Sequence, residues 1–360
     1  MCNIRGQSEF FASGQRQSLN NLKKVFLFSA FLYVIISVMI VLGNNILKHG
    51  LALAPMAGVA DRSYRAVCRE YGAEYTVSEM ISAKAVHYKD KKTDALAQLD
   101  CGDHPSAIQL FGSEPDIMAE AAEDIERRFA PDVIDINMGC PVPKITGNGE
   151  GSALSKNIPL ACGIVRAIKS AVSVPVSVKI RSGWDSEHKN APRLAAALEE
   201  AGADMIVIHG RTKTQMYAPP VDFEIIREVC SALTVPCIAN GGIYDAADAL
   251  EMFERTGCGG IMIGRGSYGN PFIFREISCM LEGKPCLKPE RGEIIDTAQR
   301  HMAMLIADKG YTGVLEARRH MAWYIRGFDG AASLRGRINT AASKDEIFEL
   351  LEGLRAGAER

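Results

Sequence analysis

Eight short runs of apolar, largely β-branched residues, several followed at once by an amphipathic helical pattern, constrain this chain more than anything else in it. The runs are LALAP (51–55), YTVSE (75–79), SAIQLFG (106–112), VIDINMG (133–139), VPVSVKI (174–180), MIVIHG (205–210), VPCIANG (235–241) and GGIMIGRG (259–266). Residues 62–71, 116–129, 192–201 and 246–255 carry the helical spacing between them. A strand buried on both faces reads as a nearly unbroken apolar run, and parallel neighbours need a crossover long enough to hold a helix. Eight such repeats predict an α/β chain folded as a closed (β/α)8 TIM barrel. An open doubly wound sheet is the competitor, weakened because no G-x-G-x-x-G follows the first run.

Chemistry in such a barrel sits where the strands end. Read in order, those ends carry Pro55 and Met56, then Glu79, Gln109, Asn137 to Cys140, Lys179, His209 with Arg211, Asn240 to Gly242, and Gly264 with Arg265. Singly, each has a bland reading: Gln109 caps a loop, His209 is a satisfied histidine, Lys179 is a solvated end. Together they put a polar group or a glycine on nearly every strand end of one rim. ANGGI and IGRG offer bare backbone N–H groups where barrels of this type hold a phosphate, with Arg265 as a charged clamp. Lys179 and Gln109 reach in from other strands and suit the polar edge of a flat ring. A phosphorylated ring cofactor such as FMN therefore fits better than a dinucleotide. The plain alternative is that both glycine motifs are only tight turns.

Cys140 stands between Gly139 and Pro141, so its backbone is restricted and its thiol is able to face the barrel mouth. Two roles are open. A nucleophile needs a base, for which His209 is the candidate in space; a proton donor needs only an unperturbed thiol, pKa about 8.5. Lys144, followed by Gly147, Gly149 and Gly151, gives a mobile, partly basic loop beside the thiol, suited to an anionic macromolecule or to nothing more than a surface turn. The ten cysteines are scattered with no C-x-x-C pair, which argues against a disulfide framework, zinc or an iron–sulfur cluster and for a reduced cytoplasmic setting. A net charge of −2 neither argues for nor excludes a polyanionic partner.

With 360 residues the chain has room for one large domain and a smaller appendage. Residues 25–43 are uncharged and mostly apolar behind Lys23 and Lys24, close to the length that spans a bilayer. The end of that run, however, continues as IVLGNNILKHG, a β-hairpin turned at Gly43-Asn44-Asn45 that leads into the first strand. The division expected is an upstream extension over 1–38, a barrel with its hairpin over 39–285, and a helical unit over 286–360, with a membrane anchor through 25–43 as the alternative. In the helical tail, residues 317–337 hold Arg318, Arg319, Arg326, Arg335 and Arg337 against the single acid Asp329. With Trp323, Tyr324 and His320 interleaved, this suits phosphate contacts and stacking on RNA, or else an aromatic core beneath a solvated basic face.

APMAGVADRSYR, IQLFG, DINMGCPVPK with GNGEGSAL, SVKIRSGW, IHGRT, ANGGI and IGRG, in this order, resemble the tRNA-dihydrouridine synthase family in its bacterial B-type branch, from about Met39 to Ser343. The resemblance implies an FMN-bearing barrel with a C-terminal helical tRNA-binding domain that reduces particular uridines of tRNA, with NADPH or NADH as reductant. By position, Cys140 is the catalytic acid, and Pro55, Met56, Ala57, Gln109, Lys179, His209, Asn240, Gly241, Gly242, Gly264 and Arg265 hold FMN. Asn137, Lys144, Arg211 and the five tail arginines are expected to meet the RNA. No metal and no stable protein partner are expected, and a monomer is. Residues 1–38 and Gly147, where a longer side chain is expected, depart from the family pattern. Two other readings stay open: an FMN enzyme acting on a free pyrimidine, in the manner of dihydroorotate dehydrogenases, and a non-catalytic tRNA-binding factor.

Overall fold

Alternation along each apolar run decides how the chain closes. A computed structural model describes residues 39–100 and 102–356, and the extension over 1–38 lies outside the described residues. The strands are β1 (Ile40–Leu42), β2 (Asn45–Leu47), β3 (Leu51–Leu53), β4 (Tyr75–Val77), β5 (Ile81–Ser82), β6 (Ser106–Phe111), β7 (Val133–Met138), β8 (Val176–Arg181), β9 (Met205–His209), β10 (Cys237–Asn240) and β11 (Gly260–Ile263). The pairings run β3-β4-β6-β7-β8-β9-β10-β11 and return to β3, all parallel, so the sheet closes on itself. Register is fixed by partners such as Asn137 with Lys179 and Arg181 with His209. Leu51 and Leu53, Ile134 and Ile136, Val178 and Ile180, and Ile206 and Ile208 turn outward to pack on the helices. Ala52, Val133, Val207 and Met262 turn inward with their odd or even neighbours.

The hairpin forms as the sequence predicts, except that Asn45 already belongs to β2; Gly43 supplies the positive φ of +60°. Ile40, Leu42 and Leu47 plug the lower end of the barrel. The observed strands are shorter than the apolar runs, most of which lose their last residues to the rim loops, while VPVSVKI loses its first two and its strand runs on to Arg181. Among the described residues no helix is long and apolar enough to cross a membrane. Four of the barrel helices begin on capping carboxylates or amides, at Asp61, Asn157, Asp222 and Asp245.

Beyond the barrel, four helices, Arg291–Lys309, Tyr311–Tyr324, Ala331–Thr340 and Lys344–Ala356, pack around a second core of Ile295, Met302, Leu305, Met321, Ile338 and Leu351. They dock on the barrel through an aromatic seam. Trp323 stacks on Tyr268 with centroids 4.2 Å apart, and Tyr64 meets the rings of His301 and His320. Lys309 adds ion pairs to Asp61 at 2.7 Å and Glu316 at 2.6 Å, and Arg300 one to Glu70 at 2.5 Å.

Candidate functional site

The inward parity of the strands, combined with their closure, gathers the polar strand ends around one cavity of about 270 Å³ at the C-terminal mouth. Pro55, Met56, Ala57, Gln109, Lys179, His209, Asn240, Gly241, Gly242, Gly264 and Arg265 all line it, as do Asn137, Cys140 and Arg211. Lys144 and the five tail arginines do not. Gly241 and Gly242 are required by space, whereas a Cβ at Gly264 would meet only ordinary contacts. Gly241 has φ +115°, and a Cβ there would lie 2.7 Å from His209 Cδ2; at Gly242, φ +76°, it would lie 2.9 Å from a Val221 methyl.

Charge in the cavity has one sign. Lys179, Arg181, Arg211 and Arg265 line it with no carboxylate among the lining residues described. Burial lowers the Lys179 ammonium to about 7, Arg181 pushes the same way, and Asp135 beneath and Cys140 resist. Its Nζ donates to Asn240 Oδ1 at 3.0 Å, and Asn240 Nδ2 donates to the Met262 carbonyl at 2.7 Å. Burial, then the surrounding cations, holds His209 well below its usual value, so the ring is neutral at pH 7. Arg211 Nη1 lies 3.4 Å from its Nε2, an arrangement suited to a neutral, accepting nitrogen.

Cys140 is half-buried at the rim on a turn held from three sides. Asn137 Oδ1 accepts from Gly139 N at 3.1 Å and Cys140 N at 2.8 Å, Arg181 Nε donates to the Gly139 carbonyl at 2.7 Å, and Ser152 donates to the Cys140 carbonyl through N at 3.1 Å and Oγ at 2.7 Å. Burial raises the thiol above its ordinary value; the Val142 backbone, Arg181 and Lys179 pull it down without outweighing burial. The thiol is protonated at neutral pH, and His209, the candidate base, is not among the groups acting on it. A nucleophile would need that activation; a proton donor does not.

Away from the mouth, the expected mobile loop is a short helix, Pro143–Thr146, followed by a 3-10 turn, Gly151–Lys156, with Lys144 exposed on the former. Arg318 Nε donates to the Ala341 carbonyl at 2.8 Å and Arg319 bonds the Gly58 carbonyl of the barrel. Arg326 and Arg337 are exposed and Arg335 is half-buried. His320 and Tyr324 are buried in the seam between barrel and tail, which removes them from stacking on RNA. Sequence reading passed over Asp135 and Arg181. Their signal is period two: they stand two residues from Asn137 and Lys179 on β7 and β8, and so share the inner face.

Fold and mouth together define a (β/α)8-barrel enzyme with a basic, glycine-lined pocket. The family model described as "Dihydrouridine synthase (Dus)" matches residues 52–357. The chain belongs to the dihydrouridine synthase family. A probable tRNA-dihydrouridine synthase of Rickettsia conorii is 39% identical over 318 residues, 86% of this chain and 96% of that one. The tRNA-dihydrouridine synthase B of Vibrio cholerae is 37% identical over 314 residues, 87% and 97% of the two chains. Among solved structures, histamine dehydrogenase of a Rhizobium species aligns at TM-score 0.51 and 14% identity over 76% of this chain and 51% of that one. An amine oxidase of Pseudomonas geniculata aligns at TM-score 0.55 and 14% identity, over 70% and 50%. At such identity the likeness is one of fold, and the chain spans about half the length of each.

Proposed function

We propose that the chain reduces the C5=C6 bond of particular uridines in tRNA to 5,6-dihydrouridine, with FMN in the barrel mouth and NADPH as the source of electrons. The observation that supports this most is Cys140, a protonated thiol on a fixed turn above a cationic cavity, in a chain whose relatives bear the name tRNA-dihydrouridine synthase. On this reading residues 39–285 carry the chemistry and residues 286–360 grip the RNA.

The residues suit a flavin mononucleotide. Gly241, Gly242 and Gly264 leave space where a phosphate meets bare backbone, Arg265 adds a charge, and Lys179 and Gln109 face the ring edge. When bound, the flavin supplies the hydride that goes to C6 of the uracil. Cys140 Sγ–H gives its proton to C5, and the thiolate left behind takes one back from solvent. Asn137 and Arg211 orient the base. A uridine inside folded tRNA must first be swung out, so the enzyme holds the surrounding strand: Lys144 beside the thiol and Arg326, Arg335 and Arg337 on the tail supply phosphate contacts. Arg318 and Arg319, committed to backbone carbonyls, contribute less.

The test is direct. Purified protein releases FMN on denaturation, its NADPH-reduced flavin is reoxidised by tRNA and not by free uracil or orotate, and tRNA from a strain lacking the protein loses specific dihydrouridines. A colourless protein that cannot be reconstituted with FMN sinks the reading.

A further inference from the structure

Beneath the cavity runs a chain of hydrogen bonds that has a direction. Asp135, on β7 and 1% exposed, does not line the cavity. Its carboxylate accepts from Ser177 Oγ on β8 and from Gln109 Nε2 on β6, the latter at 2.6 Å. Gln109, its donor end turned to the acid, presents Oε1 to Asn137 Nδ2 at 2.8 Å. Asn137, its donor end so used, presents Oδ1 to the N–H groups of Gly139 and Cys140.

A primary amide has one donating end and one accepting end, so each orientation forces the next. Turned the other way, Gln109 Oε1 would face a carboxylate and Asn137 Nδ2 would face two backbone donors, in a place where an unpaired polar group costs heavily. Arg181 and Ser152 hold the carbonyls of the turn; its N–H groups depend on this chain.

We propose that Asp135 is a positioning residue: the acceptor that orients Gln109 and Asn137, sets the turn bearing the Cys140 thiol, and leaves Gln109 offering an N–H to whatever the cavity holds. Its catalytic meaning rests on the reading of Cys140 as the acid. What the chain needs at this place is an acceptor facing Gln109, not a charge, because the Ser177 hydroxyl is able to turn round and accept from an amide at 135. Asp135→Asn therefore keeps the direction, and Asp135→Leu removes it.

The experiment follows iodoacetamide labelling of Cys140 by peptide mass spectrometry in flavin-free protein, with Cys286 as internal reference. In Asp135→Leu the released turn is labelled at least about fivefold faster, and in Asp135→Asn within about twofold of wild type, the loss being of buried hydrogen bonds. After FMN is added, the absorption spectrum of the flavin shifts in Asp135→Leu and not in Asp135→Asn. A wild-type labelling rate in a folded Asp135→Leu protein overturns the proposal, as does an Asp135→Asn protein altered as much as Asp135→Leu, which would make the charge the essential feature. Should Asp135→Leu not fold, Gln109→Leu breaks the chain one link later and must accelerate labelling alike; a wild-type rate there is equally fatal. Labelling needs neither flavin nor tRNA, so failure of the dihydrouridine reading leaves this result standing and separable.

Discussion

On the proposed reading FMN binding should depend on pH, and Lys179→Met should abolish that dependence. In the free protein, burial first and Arg181 second bring the ammonium to about 7. An anionic ligand beside it favours the charged form and raises its pKa again, so binding takes up a proton. The sign follows: affinity is full below about pH 7 and falls as pH rises through the free-protein value towards the bound one. If the bound value exceeds 10, Kd weakens about 5-fold between pH 7 and 8 and about 50-fold between pH 7 and 9. Ionisation of the FMN phosphate, near pH 6, is complete before this window opens. Quenching of FMN fluorescence by apoprotein, titrated across that range at constant ionic strength, reads the effect. Methionine keeps the stem of the side chain without its charge. A flat wild-type profile, or a slope that survives in the methionine variant, refutes the reasoning.

Gly241→Ala forces a side chain onto φ +115° and against His209; about 1–3 kcal/mol of strain should appear as lost FMN occupancy in the purified protein. Lys309→Met leaves Asp61 and Glu316 without their shared cation at the joint between barrel and tail, which should lower stability by about 1–2 kcal/mol in thermal unfolding while flavin reduction by NADPH continues. Replacing Arg326, Arg335 and Arg337 together by Ala should weaken tRNA binding and reduce the slope of log affinity against log salt by about 2–3. An unchanged slope would make that face ordinary surface.

The barrel was legible because its strands are buried on both faces, which writes them as apolar runs. Most of the residues that line the cavity could be read from strand ends once eight strands were accepted, since closure alone brings distant ends together. Asp135 and Arg181 were not seen, because one charge inside VIDINMG or at the end of SVKIR looks like a blemish until the inward face is traced by twos from Asn137 and Lys179. The glycines after Cys140 suggested mobility. Gly151, at φ +59°, instead packs on Cys140, where a Cβ would come within 2.9 Å of its carbonyl oxygen. Gly147 caps the short helix in a right-handed conformation, so its backbone does not demand glycine, although a Cβ there would lie a tight 3.0 Å from the Pro143 carbonyl oxygen. Trp323, Tyr324 and His320 read equally as stacking on RNA or as an aromatic core; they pack on Tyr268, Tyr64 and His301, which lie mostly far off in sequence and leave no local trace.

The claim that Cys140 is the proton donor is tested most directly by the single-turnover oxidation of NADPH-reduced flavin by tRNA in Cys140→Ala. The thiol is held at the cavity rim by backbone groups that alanine retains, so FMN binding and flavin reduction should be unchanged. The step that delivers hydride and proton to the uridine should slow by about 10² to 10⁴, the share of a positioned general acid. A wild-type rate of flavin oxidation by tRNA in the alanine protein would contradict the account, because another group would then be protonating C5.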